Sequence, residues 1–126
     1  MRSLVVAIAL LGPACGSAAA APDCDTALAP PPGAELLCDE HVIAKDSEIH
    51  WTSYATSEPR STVDARYAKL VGTCSITGTV QPDLDLARGQ QRFATYDASA
   101  KSYPGCSVSP KPSHRTVIVV SVMTKR

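Results

Sequence analysis

The sequence is poor in aromatic side chains and carries no excess charge of either sign. Aromatic residues make up 5% of its 126 residues, and 12 Lys and Arg balance 12 Asp and Glu. Proteins that bind nucleic acid present a basic stripe or a series of stacking aromatic side chains. The composition therefore predicts that nucleic acid is not a partner of this chain.

The chain also lacks an apolar run long enough to cross a membrane, which takes about 20 residues. The apolar run at 4–11 is short, follows Met1-Arg2, and leads into a stretch of Gly, Ser and Ala. A charged start, a short apolar middle and a small-residue end are the three parts of an export signal. We therefore predict a signal at 1–21 and an exported protein, either periplasmic or outer-membrane anchored, or freely secreted.

Two processing sites are open within this signal. The segment Leu11-Gly12-Pro13-Ala14-Cys15 resembles the lipobox of bacterial lipoproteins, although Gly12 replaces the usual Leu and Pro13 is unusual at its position. The resemblance implies cleavage after residue 14 and a lipid on Cys15, which would be the only membrane contact. The alternative is cleavage at the Ala-x-Ala site at 18–20, which would release a secreted protein.

Cysteine usage fits an oxidising compartment. Once Cys15 is assigned to the signal or to the lipid, an even number remains, which suits two disulfides. Three pairings are possible, and we expect the two that close local loops, Cys24–Cys38 and Cys74–Cys106. The chain has no C-x-x-C pair, so we expect no zinc site.

The remainder of the chain divides into a linker and one domain. Residues 15–34 are rich in Ala and Pro and predict an extended linker, and residues 35–126 predict a single disulfide-stabilised domain. Alternation and β-forming residues predict strands, and apolar spacing after Ser61 predicts one helix. The fold class expected is α+β, a two-layer sandwich of about five mostly antiparallel strands with one helix on one face. The predicted order is β-β-α-β-β-β, with strands at 36–44, 48–56, 73–80, 91–96 and 116–123 and the helix at 61–71.

Two histidines lie in the first predicted hairpin. A two-residue turn at Asp46-Ser47 would place His41 opposite Thr52 and His50 diagonally from it, on the same face. Two acids, Asp39 and Glu48, share this face. We interpret it as a solvated polar face and predict no metal and no cofactor.

The same hairpin carries the densest aromatic cluster, which includes Trp51 and Tyr54. One of these two should face outward, so His41, His50, Trp51 and Tyr54 are the candidate binding residues. A Trp-x-x-Tyr strand followed by a helix with Tyr67 is similar to small uncharacterised bacterial exported proteins, and this resemblance implies no activity.

Motifs for catalysis are scarce. The sequence has no Gly-x-Ser-x-Gly elbow and no phosphate-binding glycine loop. We therefore predict a non-enzymatic binding or interaction module acting on a protein or a small ligand. Two alternatives remain: an enzyme or metal-dependent site on the 38–56 hairpin, and a secreted inhibitor that uses the 97–112 loop.

Overall fold

In the part of the chain that the structure describes, one antiparallel sheet carries a single α-helix on one of its faces. The structure is a computed structural model and describes residues 23–126. The predicted signal and Cys15 lie outside that range. In chain order the elements are a short 3-10 turn Cys24–Thr26, β1 Glu35–Ile43, β2 Ser47–Thr56, α1 Arg60–Ala68, β3 Thr77–Thr79, β4 Asp85–Arg88, β5 Gln91–Asp97 and β6 Thr116–Lys125.

The sheet has six strands in the order β1-β2-β6-β5-β4-β3, and all neighbouring strands are antiparallel. The apolar strand β6 lies near its centre, between β2 and β5, as its sequence predicts. The α+β class with one helix is confirmed, but the predicted count of five strands in the order β-β-α-β-β-β is wrong. The additional strand is β4, whose four residues include two charged ones and give little β signal. It is held by Leu86, which is fully buried opposite Phe93.

Each face of the sheet has its own apolar cluster, because side chains alternate along every strand. On the helix face, Phe93 and Ile118 pack with Val63 and Tyr67 of α1. On the opposite face, which we call the loop face, Leu37, Ala55 and Val117 form a second cluster. Partly buried residues of the long segment between β5 and β6 cover this second cluster.

The four cysteines among residues 23–126 form two disulfides, and the expected pairing is wrong. The bonds join Cys24 to Cys74 and Cys38 to Cys106, with Cα–Cα distances of 5.3 and 5.7 Å. Cys74 packs against the helix-face cluster and Cys106 against the loop-face cluster. A Cys74–Cys106 bond would therefore have to cross the sheet. Two disulfides indicate an oxidising location outside the cytoplasm.

The folded part of the chain begins within the predicted linker 15–34. Leu28 is 1% exposed and belongs to the helix-face cluster, although it lies in the Ala/Pro-rich stretch 15–34. The Cys24–Cys74 bond fixes the same region to the turn that follows α1. The described part of this stretch is thus a cover for the core rather than a spacer. Among residues 23–126, no helix is long and apolar enough to span a membrane.

Tyr67 connects α1 to this cover. Its hydroxyl donates a hydrogen bond to the carbonyl of Ala29, and burial raises its pKa to about 12, from an ordinary value of 10.0. The folded state therefore holds this proton more tightly than the unfolded state does. Below about pH 10 the resulting stabilisation is complete, and it is lost as pH rises towards 12.

We predict that Tyr67→Phe lowers the free energy of unfolding by about 1 kcal/mol at neutral pH, because the carbonyl of Ala29 loses its donor. We also predict that the variant loses less stability than the parent between pH 9 and pH 11. Urea unfolding of the oxidised proteins at these pH values measures both effects. An equal loss in parent and variant would contradict this assignment of the hydroxyl.

One end of the sheet has little cover on either face. Helix α1 lies over β4, β5 and the start of β6, and the long loop covers the same half from the other side. Every residue from 39 to 46 is exposed. The open end of the sheet, as we call it, consists of residues 39–43 of β1, 47–52 of β2 and 121–125 of β6. It exposes large apolar side chains, with Val42 at 49% and Ile43 at 57%.

Candidate functional site

The hairpin at the open end has a different turn from the one expected. Its turn residues are Lys45 and Asp46, and the N–H of Ala44 donates to the carbonyl of Ser47 at 2.8 Å. Ser47 is unavailable for the turn because it pairs with Lys125 of β6. The register expected from an Asp46-Ser47 turn is therefore wrong. The shift preserves the face on which each side chain lies.

In the observed register, His41 lies directly opposite His50 rather than opposite Thr52. Bonded and non-bonded pairs alternate along an antiparallel ladder. Since Ala44 and Ser47 form a hydrogen-bonded pair, His41 and His50 form a non-hydrogen-bonded one. Side chains in such pairs are the closest across two strands. The two imidazole centroids are 6.0 Å apart, with the rings at 73° to each other.

A carboxylate accompanies each imidazole, and we call the four residues Asp39, His41, Glu48 and His50 the His–acid cluster. Nε2 of His50 contacts Oδ1 of Asp39, and Nε2 of His41 lies 3.7 Å from Oε2 of Glu48. The side chains of His50 and His41 are 57% and 53% exposed, respectively. Within residues 23–126, no three His, Cys, Asp or Glu side chains converge on one metal position. The cluster is thus two solvated pairs placed side by side.

The two aromatic candidates on β2 lie on opposite faces. Tyr54 is partly buried and packs against the helix-face cluster. Trp51 lies on the loop face, opposite Glu40 of β1 and Ser121 of β6, and is also partly buried. His41 and His50 share the helix face of the open end, so Trp51 lies on the other side of the sheet from them. The four predicted residues therefore do not form one site.

Next to Trp51, the loop face of the open end carries a shallow groove of about 450 Å³. Ile49 and Met123 form its apolar wall, and Arg92 and Gln90 give it a polar rim. Arg92 is paired with Asp85 of β4. Sequence reasoning missed this groove because it depends on β4, which the sequence did not reveal.

The sequence also gives no sign of the environment of Arg60, at the start of α1. Its guanidinium reaches Asp83 at 3.0 Å, Asp97 at 3.3 Å and Asp64 at 3.6 Å. It also donates to both oxygens of Thr95. Burial alone would lower the pKa of Arg60, but the hydrogen bond to Asp83 and the neighbouring charges raise it. The donors are occupied by protein partners, so this residue joins α1 to the sheet rather than forming a site.

The long loop proposed for an inhibitor lies against the sheet. Tyr103 and Cys106 pack on the loop-face cluster, and the Cys38–Cys106 bond fixes the loop to β1. His114, the third histidine, is nearly buried, and its Nδ1 accepts a hydrogen bond from the N–H of Lys111. Lys111 in turn lies 3.0 Å from Glu35, and this contact lowers the pKa of Glu35. The described loop thus serves as a cover for the core.

The chain was compared with protein-family models, with curated proteins and with solved structures, and nothing matches. The function must therefore be inferred from the open end and its surroundings.

Proposed function

We propose that this protein is an exported, non-catalytic binding module that takes an extended segment of a partner protein along β1. The observation that carries the proposal is the free edge of β1 at the open end. Among residues 23–126, β1 is paired on one side only, by β2. A free strand edge is a template for another strand, and several recognition domains bind peptides by adding a strand to an edge.

The backbone of β1 offers a row of free hydrogen-bonding groups. Because pairs alternate along the ladder, the N–H and C=O groups of Asp39, His41 and Ile43 point away from β2. Natural sheets protect such edges with Pro, Lys, a bulge or a cover. β1 contains neither Pro nor Lys, and its register shift lies between Leu36 and Cys38, before the open part. The edge from Asp39 to Ile43 is therefore long enough and regular enough to accept a strand.

Charge at this edge favours one kind of partner. Asp39 and Glu40 are adjacent and exposed near the middle of β1. A second copy paired antiparallel about Asp39 or Glu40 would place carboxylates opposite carboxylates, which is destabilising. One paired about His41 would place Ile43 and Val42 opposite the two acids, with no charge to complement them. These two carboxylates lie on opposite faces, so a strand with basic side chains on one face would meet one of them directly, and apolar side chains on its other face would meet Val42 or Ile43. We therefore propose a partner segment in which basic and apolar residues alternate.

The absence of catalysis is part of the same proposal. The imidazoles of the His–acid cluster are more than half exposed. Electrostatic catalysis is strongest in sites that exclude water. The exposure of these groups therefore favours binding over turnover.

Export and anchoring complete the proposal. The disulfides fit an oxidising compartment, and the lipobox-like segment before Cys15 would attach the domain to a membrane through a lipid. Intact-mass analysis of the exported protein distinguishes a diacylated Cys15 from a free N-terminus near Ala21. A product that retains residues 1–14 would contradict the export signal.

We predict that a synthetic peptide of alternating Lys and Val, matched in length to β1, binds the protein. Ile43→Pro should weaken this binding by roughly 10-fold or more, because it removes an outward N–H without breaking a bond to β2. Ile43→Thr keeps the N–H and serves as the matched control, with binding close to that of the parent. Fluorescence anisotropy of the labelled peptide measures both affinities.

Two further peptides separate strand pairing from simple charge attraction. An alternating Glu–Val peptide should not bind, and a Lys–Val peptide with methylated backbone nitrogens should bind much more weakly. The proposal is overturned if the parent protein does not bind the Lys–Val peptide. It is also overturned if the methylated peptide or Ile43→Pro leaves the affinity unchanged.

A further inference from the structure

We propose that the His–acid cluster binds a single divalent transition-metal ion of the Zn²⁺ or Cu²⁺ type. The site differs from the strand-binding edge, because its ligands are side chains on the helix face and the peptide would bond to the backbone of β1; the two share only the carboxylate of Asp39. Four potential ligands, two imidazoles and two carboxylates, belong to adjacent positions of one hairpin.

The backbone brings the two imidazoles within reach of one ion. His41 and His50 are directly opposite in a non-hydrogen-bonded pair, and their ring centroids are 6.0 Å apart. Zn–N bonds are about 2.0–2.1 Å long. Two rings that share one ion therefore have to lie only a little closer together than the observed centroid distance. His50 lies on β2, which is paired on both sides, so its backbone position is well defined.

The side chains can make this adjustment. Both imidazoles are more than half exposed, and the carboxylates of Asp39 and Glu48 are 55% and 38% exposed. Since no three donors converge in the metal-free arrangement of residues 23–126, binding requires rotation of the rings towards each other. Nε2 of His50 contacts Asp39 and Nε2 of His41 lies 3.7 Å from Glu48, so each nitrogen already lies beside a carboxylate that would ligate the same ion.

The chemistry of the donors selects the ion. Imidazole nitrogen suits Zn²⁺ and Cu²⁺, whereas Ca²⁺ and Mg²⁺ prefer sites made of oxygen alone. Two carboxylates balance the charge of a divalent cation. The side chains next to the cluster on β2 and β6 are the uncharged Thr52, Val122 and Thr124, and the guanidinium of Arg126, at the end of the hairpin, donates to the carbonyl of Ala44 at 3.0 Å. The site is therefore suited to one ion with an N₂O₂ ligand set or with water in place of a carboxylate.

Calorimetric titration of the untagged, disulfide-bonded protein with Zn²⁺, and separately with Cu²⁺, tests this site. We expect one ion per chain and no binding of Ca²⁺. His41→Ala and His50→Ala should each weaken binding by at least ~10-fold, since loss of an outer-shell partner of a ligand already costs about 10–100-fold. Glu40→Gln is the matched control, because Glu40 lies on the same strand but on the opposite face. It should leave the affinity unchanged.

Electron paramagnetic resonance of the Cu²⁺ form identifies the ligands directly. Coupling to two imidazole nitrogens that is lost in both histidine variants supports the site. The proposal is overturned if either variant binds like the parent, if the coupling persists without His41 or His50, or if neither Zn²⁺ nor Cu²⁺ binds. Because His50 lies on β2 and not on the free edge, His50→Ala should still bind the Lys–Val peptide, which separates failure of this site from failure of the strand-binding proposal.

Discussion

Replacing Cys38 and Cys106 together by Ser is expected to lower the free energy of unfolding by about 4 kcal/mol in the chain-entropy description of crosslinks. The bond closes a loop with a sequence separation of 68 residues, and the entropy lost by the unfolded chain grows with that length. It also holds the long loop over Leu37 and Val117 on the loop face. Denaturant unfolding of the parent and the double variant measures the loss.

The same variant tests the connectivity. If Cys24 is bonded to Cys74, as in the structure, removal of Cys38 and Cys106 leaves no free thiol among residues 23–126. If the bonds joined Cys24 to Cys38 and Cys74 to Cys106, two free thiols would appear. Alkylation followed by peptide mass analysis counts them, with Cys15 measured on its own peptide. Two alkylated cysteines at 24 and 74 would contradict the observed pairing.

Arg60→Met is expected to cost about 2 kcal/mol of stability, because it removes a donor from the carbonyl of buried Thr95 and the cation beside partly buried Asp64, while the exposed Asp83 and Asp97 return to water. The Arg60 side chain is only 19% exposed and is surrounded by Asp64, Asp83 and Asp97. Met keeps the length of the stem and removes only the charge and the donors. Thermal and urea unfolding should both report the loss.

Arg66→Met on the same helix is the control. Arg66 is 42% exposed and forms a bidentate pair with Glu58, which lowers the pKa of that carboxyl. Exposed ion pairs contribute about 0–1 kcal/mol and are screened by salt. We therefore expect a much smaller loss in Arg66→Met. Equal losses in the two variants would show that Arg60 does not connect α1 to the sheet.

The parts of the fold that follow from local pattern were predictable. β6 and the β1–β2 hairpin have long runs of β-forming residues, and the spacing of Val63 and Tyr67 predicts a helix. The sequence could place both histidines on one face, because a change of strand register that preserves the alternation of side chains leaves every residue on the same face of the sheet. Their exact opposition could not be predicted, since it depends on the pairing of Ser47 with Lys125, far along the chain.

Features that depend on distant contacts were not predictable from one sequence. β4 is too short to show a pattern, and it is defined by Leu86 meeting Phe93 in the core. The disulfide pairing follows from which face of the sheet each cysteine occupies. The acids around Arg60 come from positions up to 37 residues away. The disulfides and the Arg60 contacts join segments that are far apart in the chain, whereas the short strand β4 is recognisable only from its burial against β5.

The proposed function depends most directly on the outward backbone groups of β1. Amide hydrogen exchange, followed by NMR with and without saturating Lys–Val peptide, reports on them individually. We predict that the amides of Asp39, His41 and Ile43 exchange at least ~10-fold more slowly in the complex, while those of Glu40 and Val42, which face β2, change little. Unchanged exchange at Asp39, His41 and Ile43, or protection confined to the 97–112 loop, would contradict binding at this edge.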